Sequence, residues 1–254
     1  MTKFKGLMGL ILLSLLSGCT PTVLQIGTDL STAKEVVAEG DVNMQNSEGE
    51  SALHYAARKG DIKIVRYLVE HGAKLDVKSV WKNTPLIDSI THENQEVSLY
   101  LIEAGADIKI KNKWSVSPFL SAASFGNIEV IKSLHSKGAD IETVNTSSDT
   151  PLMLAAKGGH VEVLAYLLKH GADKSVRNKN LLSALDIAKH SEQVEIISLL
   201  QNYNEIKTSY TKRDKKHKVL EKSTSAKKKI FANIHVYIEQ EDLNGLIRYI
   251  HTLE

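Results

Sequence analysis

Thr150-Pro-Leu-Met-Leu-Ala-Ala-Lys-Gly-Gly-His-Val-Glu-Val-Leu-Ala-Tyr-Leu-Leu-Lys-His-Gly-Ala172 is the stretch that decides the fold. Thr150 reads as an N-cap, whose hydroxyl accepts from an orphan amide of the first helical turn. Pro151 follows at the first helical position, where a missing N–H costs nothing. A short helix carries small residues, Ala155 and Ala156, that let neighbouring helices approach closely. Gly159 reverses the chain, and Val161, Val163, Leu164, Leu167 and Leu168 give a second helix its apolar face. Gly171-Ala172 then stops it, since glycine takes the left-handed conformation of a helix end.

The same phrase recurs every 33 residues on both sides. Thr84-Pro85-Leu86 and Ser117-Pro118-Phe119 repeat the proline triplet, and Ser51-Ala52-Leu53 and Ser183-Ala184-Leu185 hold the same phase without proline. Ser51, Thr84, Ser117, Thr150 and Ser183 are therefore helix caps by position. A partial unit shows in Val36-Val-Ala-Glu-Gly-Asp-Val-Asn43. A fixed period of this size means a solenoid whose units bury a shared interior only by stacking.

The units resemble ankyrin repeats, most closely in Ser51-Ala-Leu-His-Tyr-Ala-Ala-Arg-Lys-Gly60 and Thr150 to His160. The resemblance implies an all-α repeat fold of about five full helix-turn-helix units plus partial caps, joined by projecting turns or hairpins, over residues 30–203. Units fall at 30–45 (partial), 46–78, 79–111, 112–144, 145–177 and 178–203. The family pattern prefers glycine two residues before the Thr/Ser, and only Gly49 fits. Lys82, Ser115, Ser148 and Leu181 depart from it, which predicts looser hairpin tips than the family's ideal. The fifth unit is the weakest, lacking both proline and a mid-unit glycine.

The N-terminus carries a second signal. Lys3 and Lys5 precede an apolar stretch, Gly6 to Leu16, too short for a lasting transmembrane helix, which takes about 20 residues. It ends in Leu16-Ser17-Gly18-Cys19, which resembles the lipobox of a bacterial lipoprotein. The resemblance implies a signal peptide over 1–18, acyl chains on Cys19 and a short tether over 19–29. Several acyl chains on one cysteine anchor stably, since each buried CH₂ contributes about 0.8 kcal/mol. Thr20, in place of the aspartate that favours inner-membrane retention, points to the outer membrane of a bacterial envelope, facing the periplasm. With its one cysteine lipidated the chain has no thiol for a disulfide. The tether is at most ~35 Å, at ~3.3 Å per residue, so the repeats are held close to the membrane.

Composition, 24% charged and 42% hydrophobic, is that of a soluble globular domain behind such an anchor. Residues 204–229 hold ten Lys/Arg against three Asp/Glu, about +7, while the whole chain is only +2. They read either as a solvated linker or as a contact for anionic lipid or an acidic partner. Nucleic acid is not expected in the periplasm. Residues 230–254 read as a helical hairpin, a degenerate terminal repeat that either docks or hangs free.

No catalytic motif emerges. There is no Gly-rich phosphate loop, most of the ten histidines sit at repeat-locked places, and none pairs with another at metal-ligand spacing on one helix face. The expectation is no enzyme, no cofactor, no metal site and a monomer. What remains is recognition. In ankyrin solenoids partners usually dock in a concave groove lined by the hairpin tips and first helices. Trp81 and Trp114 fall three residues before the cap in adjacent units, flanked by Lys78, Lys82, Lys111 and Lys113, and His92 and Phe125 lie at the far ends of the same first helices. Trp81, Asn83, His92, Lys113, Trp114 and Phe125 are the candidate partner-binding residues. The alternative is that both tryptophans fold back to cover the hairpins. The partner is a protein: an incoming membrane-acting toxin such as a phospholipase effector, if this is an immunity protein, or an envelope protein, if it is a resident scaffold.

Overall fold

The computed structural model describes residues 42–213, preceded by Leu30, Ala33, Lys34 and Val37, with side chains described through Tyr203. Cys19, residues 214–229 and the hairpin read over 230–254 lie outside the described residues. Among the described residues there are ten helices and no strand; an isolated antiparallel bridge joins Gln45 to Ser51. No described helix is long and apolar enough to cross a membrane.

The chain divides after Pro151 into two compact units. The first holds α1 (Ala52–Lys59), α2 (Ile62–Glu70), α3 (Pro85–Thr91), α4 (Gln95–Glu103), α5 (Pro118–Ser124) and α6 (Ile128–Ser136). First helices α1, α3 and α5 pack side by side, as do second helices α2, α4 and α6. The interior repeats in register: Leu53, Leu86 and Phe119 are buried at one step, Ile64, Val97 and Val130 at another, Leu68, Leu101 and Leu134 at a third. The second unit holds α7 (Pro151–Gly158), α8 (Val161–Lys169), α9 (Ala184–His190) and α10 (Val194–Arg213), with α10 packed on α8 and α9. Helix α10 runs ten residues into the stretch read as a linker. No glycine or proline interrupts it between Val194 and Arg213, so nothing in the backbone stops the helix there.

Caps set the helix starts. Thr84 Oγ1 accepts from Ile87 N–H at 3.3 Å, Ser117 Oγ from Leu120 N–H at 3.3 Å and Ser183 Oγ from Asp186 N–H at 3.2 Å. Asp186 returns the bond, accepting from Ser183 N–H at 3.0 Å, which closes a capping box. Ser51 differs: its hydroxyl and its N–H both meet His54 Nδ1, at 3.0 and 3.1 Å. Thr150 is buried at the equivalent place before Pro151.

The hairpin tips correct the expectation of looseness. All five close with the same two backbone bonds. In the first, Asn46 N–H donates to Glu50 O and Gly49 N–H to Asn46 O. The same pairs recur from Ser79, Asn112, Asn145 and Asn178. Lys82, Ser115, Ser148 and Leu181 take the glycine's conformation, with φ of 59°, 59°, 62° and 61° beside 71° at Gly49. An asparagine secures four of the five tips: its Oδ1 accepts the N–H groups two and four residues on, as Asn112 does from Trp114 and Val116 at 3.0 Å. Such overdetermined turns hold a residue in a region it rarely visits. At mid-unit, Glu93 and Glu192 likewise occupy the left-handed place of Gly60, so the fifth unit turns without the glycine its sequence lacks.

Candidate functional site

Backbone bonds join neighbouring fingertips in the first unit. Val80 N–H donates to Glu48 O at 2.8 Å, Lys113 N–H to Trp81 O at 2.9 Å and Thr146 N–H to Trp114 O at 3.0 Å. The ladder fixes Trp81 and Trp114 on adjacent tips. Their rings stack at a centroid distance of 5.6 Å and an interplanar angle of 13°, yet remain 47% and 49% exposed. Lys113 Nζ sits 4.9 Å from the Trp81 ring centroid, a cation–π contact.

The tryptophans are not there to complete the turn. The same tip position is Glu48 in the first repeat, Ser147 in the fourth and Asn180 in the fifth, and all three tips close with the same bonds. Each indole covers part of its neighbour, and half of each is left in water.

Asn83, expected among the binding residues, faces inward. It is half-buried, and its groups serve three repeats at once. Its carbonyl meets His54 Nε2 at 3.1 Å, its Nδ2 donates to Asp88 Oδ1 at 2.9 Å, and its Oδ1 accepts from Asn112 Nδ2 at 3.1 Å. A network of Glu50, Arg58 and Asp88 surrounds it, with Arg58 bonded to Glu50 and 3.4 Å from Asp88. Burial pushes the Asp88 carboxyl above its ordinary range, against the opposing pull of His54, Arg58 and Asn83. The position is legible in phase, but two of its three partners, His54 and Asn112, lie a repeat away on either side, beyond what local sequence reveals.

His92 and Phe125 cap the far ends of α3 and α5. His92 is exposed and its Nδ1 meets Asp88 O at 2.9 Å; Phe125 is 40% exposed. A seven-residue helix is about 10 Å long, so these side chains lie roughly that far along the first helices from the tryptophan end. Sequence reading passes over Met44, Val80 and Val144, which are also exposed on the hairpin side. Val80 is beside Trp81 in the chain, and that adjacency was the available signal.

Other chemistry is sparse. No three His, Cys, Asp or Glu side chains converge to hold a metal among the described residues. In the second unit a cleft of about 290 Å³ is lined by Leu168, Gly171 to Ser175 and Tyr203; there Asp173 Oδ1 accepts from Ser175 Oγ at 2.7 Å and from Ser175 N–H at 2.8 Å, a local turn, and Lys174 Nζ donates to Leu200 O at 2.9 Å. Histidine Nδ1 atoms at helix ends are spent on the carbonyl four residues back: His71 on Tyr67 at 2.7 Å, His170 on Tyr166 at 2.8 Å and His190 on Asp186 at 2.7 Å.

Compared with known proteins, the chain matches the family described as ankyrin repeats (3 copies) over residues 23–112 and 119–212. It is also similar to serine/threonine-protein kinase 12 of Arabidopsis thaliana, 34% identical over 70 residues. That match covers 27% of this chain, and the chain spans only 15% of the kinase's length.

Proposed function

The chain belongs to the ankyrin-repeat family, and from that premise we propose that it is a protein-binding module whose groove, from the Trp81–Trp114 tips along the first helices to His92 and Phe125, receives a partner protein. One observation carries the reading. Two large aromatic rings are held half in water on a hydrogen-bonded ladder, at a position the fold fills equally well with Glu, Ser or Asn. Tryptophan is the side chain most enriched in binding hot spots, and rigid anchors lose little entropy on docking.

The module is tethered. Cys19 carries acyl chains that anchor it in the bacterial envelope, on the periplasmic face of the outer membrane. The sequence Leu16-Ser17-Gly18-Cys19 and the short stretch before the first repeat support this. A groove held that close to the bilayer serves a partner that acts or arrives there. This favours an immunity role against a membrane-acting toxin such as a phospholipase effector, with a resident envelope scaffold as the competing role.

Photo-crosslinkers placed at Lys82 and Lys111 in the full chain, expressed in its own host, test the protein reading. A crosslinked protein lost on Trp81→Ala/Trp114→Ala, with thermal unfolding unchanged, is the expected result. Capture indifferent to both tryptophans, with a fall in melting temperature, makes the pair structural. Labelling with an alkyne fatty acid that disappears on Cys19→Ser tests the anchor. A deletion lethal only beside a neighbouring effector gene separates immunity from scaffolding.

A further inference from the structure

The tips also state the chemistry of what they bind. Resting on the protein-binding reading above, we infer that the Trp81–Trp114 edge takes an acidic segment of its partner, one that lays a proline or aromatic ring on the indole pair and sets carboxylates against the surrounding lysines. Lys78, Lys82, Lys111 and Lys113 are all exposed around the pair. Among the described residues none of the four is in an ion pair: Lys111 Nζ reaches only the Val144 carbonyl at 3.5 Å, and Lys113 lies over Trp81. Three nearby carboxylates are engaged elsewhere, while Glu48 stands exposed on the tip beside Trp81. Glu50 is bonded to Arg58, Asp76 accepts from Asp107 N–H at 2.9 Å, and Asp107 accepts from Lys109 N–H at 2.8 Å. Positive charge is thus concentrated over two fingers, bounded by Glu48 on one neighbouring tip and Ser147 on the other.

The rings set the shape. Stacked at 13° with centroids 5.6 Å apart, they cover part of one another and present their open halves as an aromatic edge. Such an edge matches a single flat ring of a peptide, as aromatic-lined grooves take extended proline segments. An element lying in a lipid interface needs a broad apolar face. Charge complementarity adds speed and register to the encounter.

The full-length chain is titrated into fluorescein-labelled peptides of alternating Glu-Pro, with Lys-Pro and Ser-Pro controls of equal length, and binding is read from fluorescein anisotropy, indole emission being followed as well in the chains that keep both tryptophans. Phosphatidylglycerol–phosphatidylcholine vesicles form a parallel arm. The Glu-Pro peptide is expected to bind tightest and to weaken as salt rises. It should lose at least tenfold on Trp81→Ala/Trp114→Ala and severalfold, with a shallower salt dependence, on Lys82→Gln/Lys111→Gln. Circular dichroism should be unchanged in both variants. Equal binding of Lys-Pro or Ser-Pro overturns the acidic assignment, and so does a blue shift of the indoles on vesicles with none on peptide, which makes the edge a lipid contact. If Glu-Pro fails while crosslinking of the host protein still requires both tryptophans, the acidic class is wrong and the protein-binding reading stands. If crosslinking ignores them, both fall.

Discussion

Lys82 stands one period after Gly49 and adopts the same left-handed backbone, φ 59° against 71°. Ser115, Ser148 and Leu181 do so in the next three tips. A side chain in this region costs roughly 1–2 kcal/mol through its Cβ. Replacement by glycine recovers that cost and gives some back as chain entropy. Lys82→Gly and Leu181→Gly are each expected to stabilise by about 0.5–1 kcal/mol in urea unfolding. Gly49→Ala, whose Cβ would come 3.2 Å from Val80 N, should destabilise. No gain at any of the four positions would mean the tips relax away from the geometry described.

The mid-unit turn is set by a closer contact. Asn94 Nδ2 donates to Ala57 O at 2.9 Å and to Arg58 O at 2.8 Å, closing the end of α1 from the following repeat. That brings its carboxamide over Gly60, where an added Cβ would lie 2.4 Å from Oδ1. Gly60→Ala should therefore cost about 2–3 kcal/mol, the sum of a left-handed backbone and a displaced Asn94. In an Asn94→Ala background the same change should cost about 1 kcal/mol, since the steric part is gone. Equal costs in the two backgrounds, measured by a double-mutant cycle, would remove Asn94 from the account.

Much of this was legible in the sequence because it is periodic. Residues 33 apart share a role, so the cap positions, the two helices per unit and the adjacency of Trp81 and Trp114 follow from counting. What escaped depends on contacts between repeats. Asn83 reads as a tip residue, yet partners in the first, second and third repeats turn it inward. The tips of Lys82 and Leu181 look wrong residue by residue. They close because two backbone bonds per turn outweigh the local preference. The stacking of the indoles follows from finger spacing, which a sequence does not state.

Ser89 and Ser98 form a buried pair, their hydroxyls 2.8 Å apart, where the first repeat has Ala56 and Val65 and the third Ala122 and Ile131. Ser89 also reaches Leu86 O at 2.8 Å and Ser98 reaches Asn94 O at 2.9 Å. Two hydroxyl hydrogens serve three contacts, so one goes unmade at any moment. Exchanging both partners for apolar residues of the neighbouring repeats loses little hydrogen bonding and gains apolar burial. Ser89→Ala/Ser98→Val should be neutral or stabilising by up to about 1 kcal/mol. A loss above about 1 kcal/mol would show that the hydroxyl pair contributes net stability.

His54 makes stability depend on pH. It is fully buried, and Ser51 N–H donates to its Nδ1 at 3.1 Å, which leaves Nε2 to carry the proton toward Asn83 O at 3.1 Å. Burial holds its pKa below the ordinary 6.5, against smaller raising effects from Asn83, Asp88 and Glu50, while Arg58 lowers it further. Below pH 6.5 the unfolded chain therefore binds a proton that the folded chain refuses. The contribution is fully present above pH 6.5 and is lost as pH falls through that value toward the folded pKa, at up to about 1.4 kcal/mol per pH unit. Asp88 acts in the opposite sense: its raised pKa returns stability as pH falls through the folded value toward 3.8. Leucine occupies the equivalent place at Leu120. His54→Leu should cost about 1–3 kcal/mol at pH 7, because Ser51 N–H and Asn83 O lose their partner. Between pH 6.5 and 5 it should lose less stability than the wild type in urea melts. Parallel losses in the two proteins would place the acid sensitivity on another group.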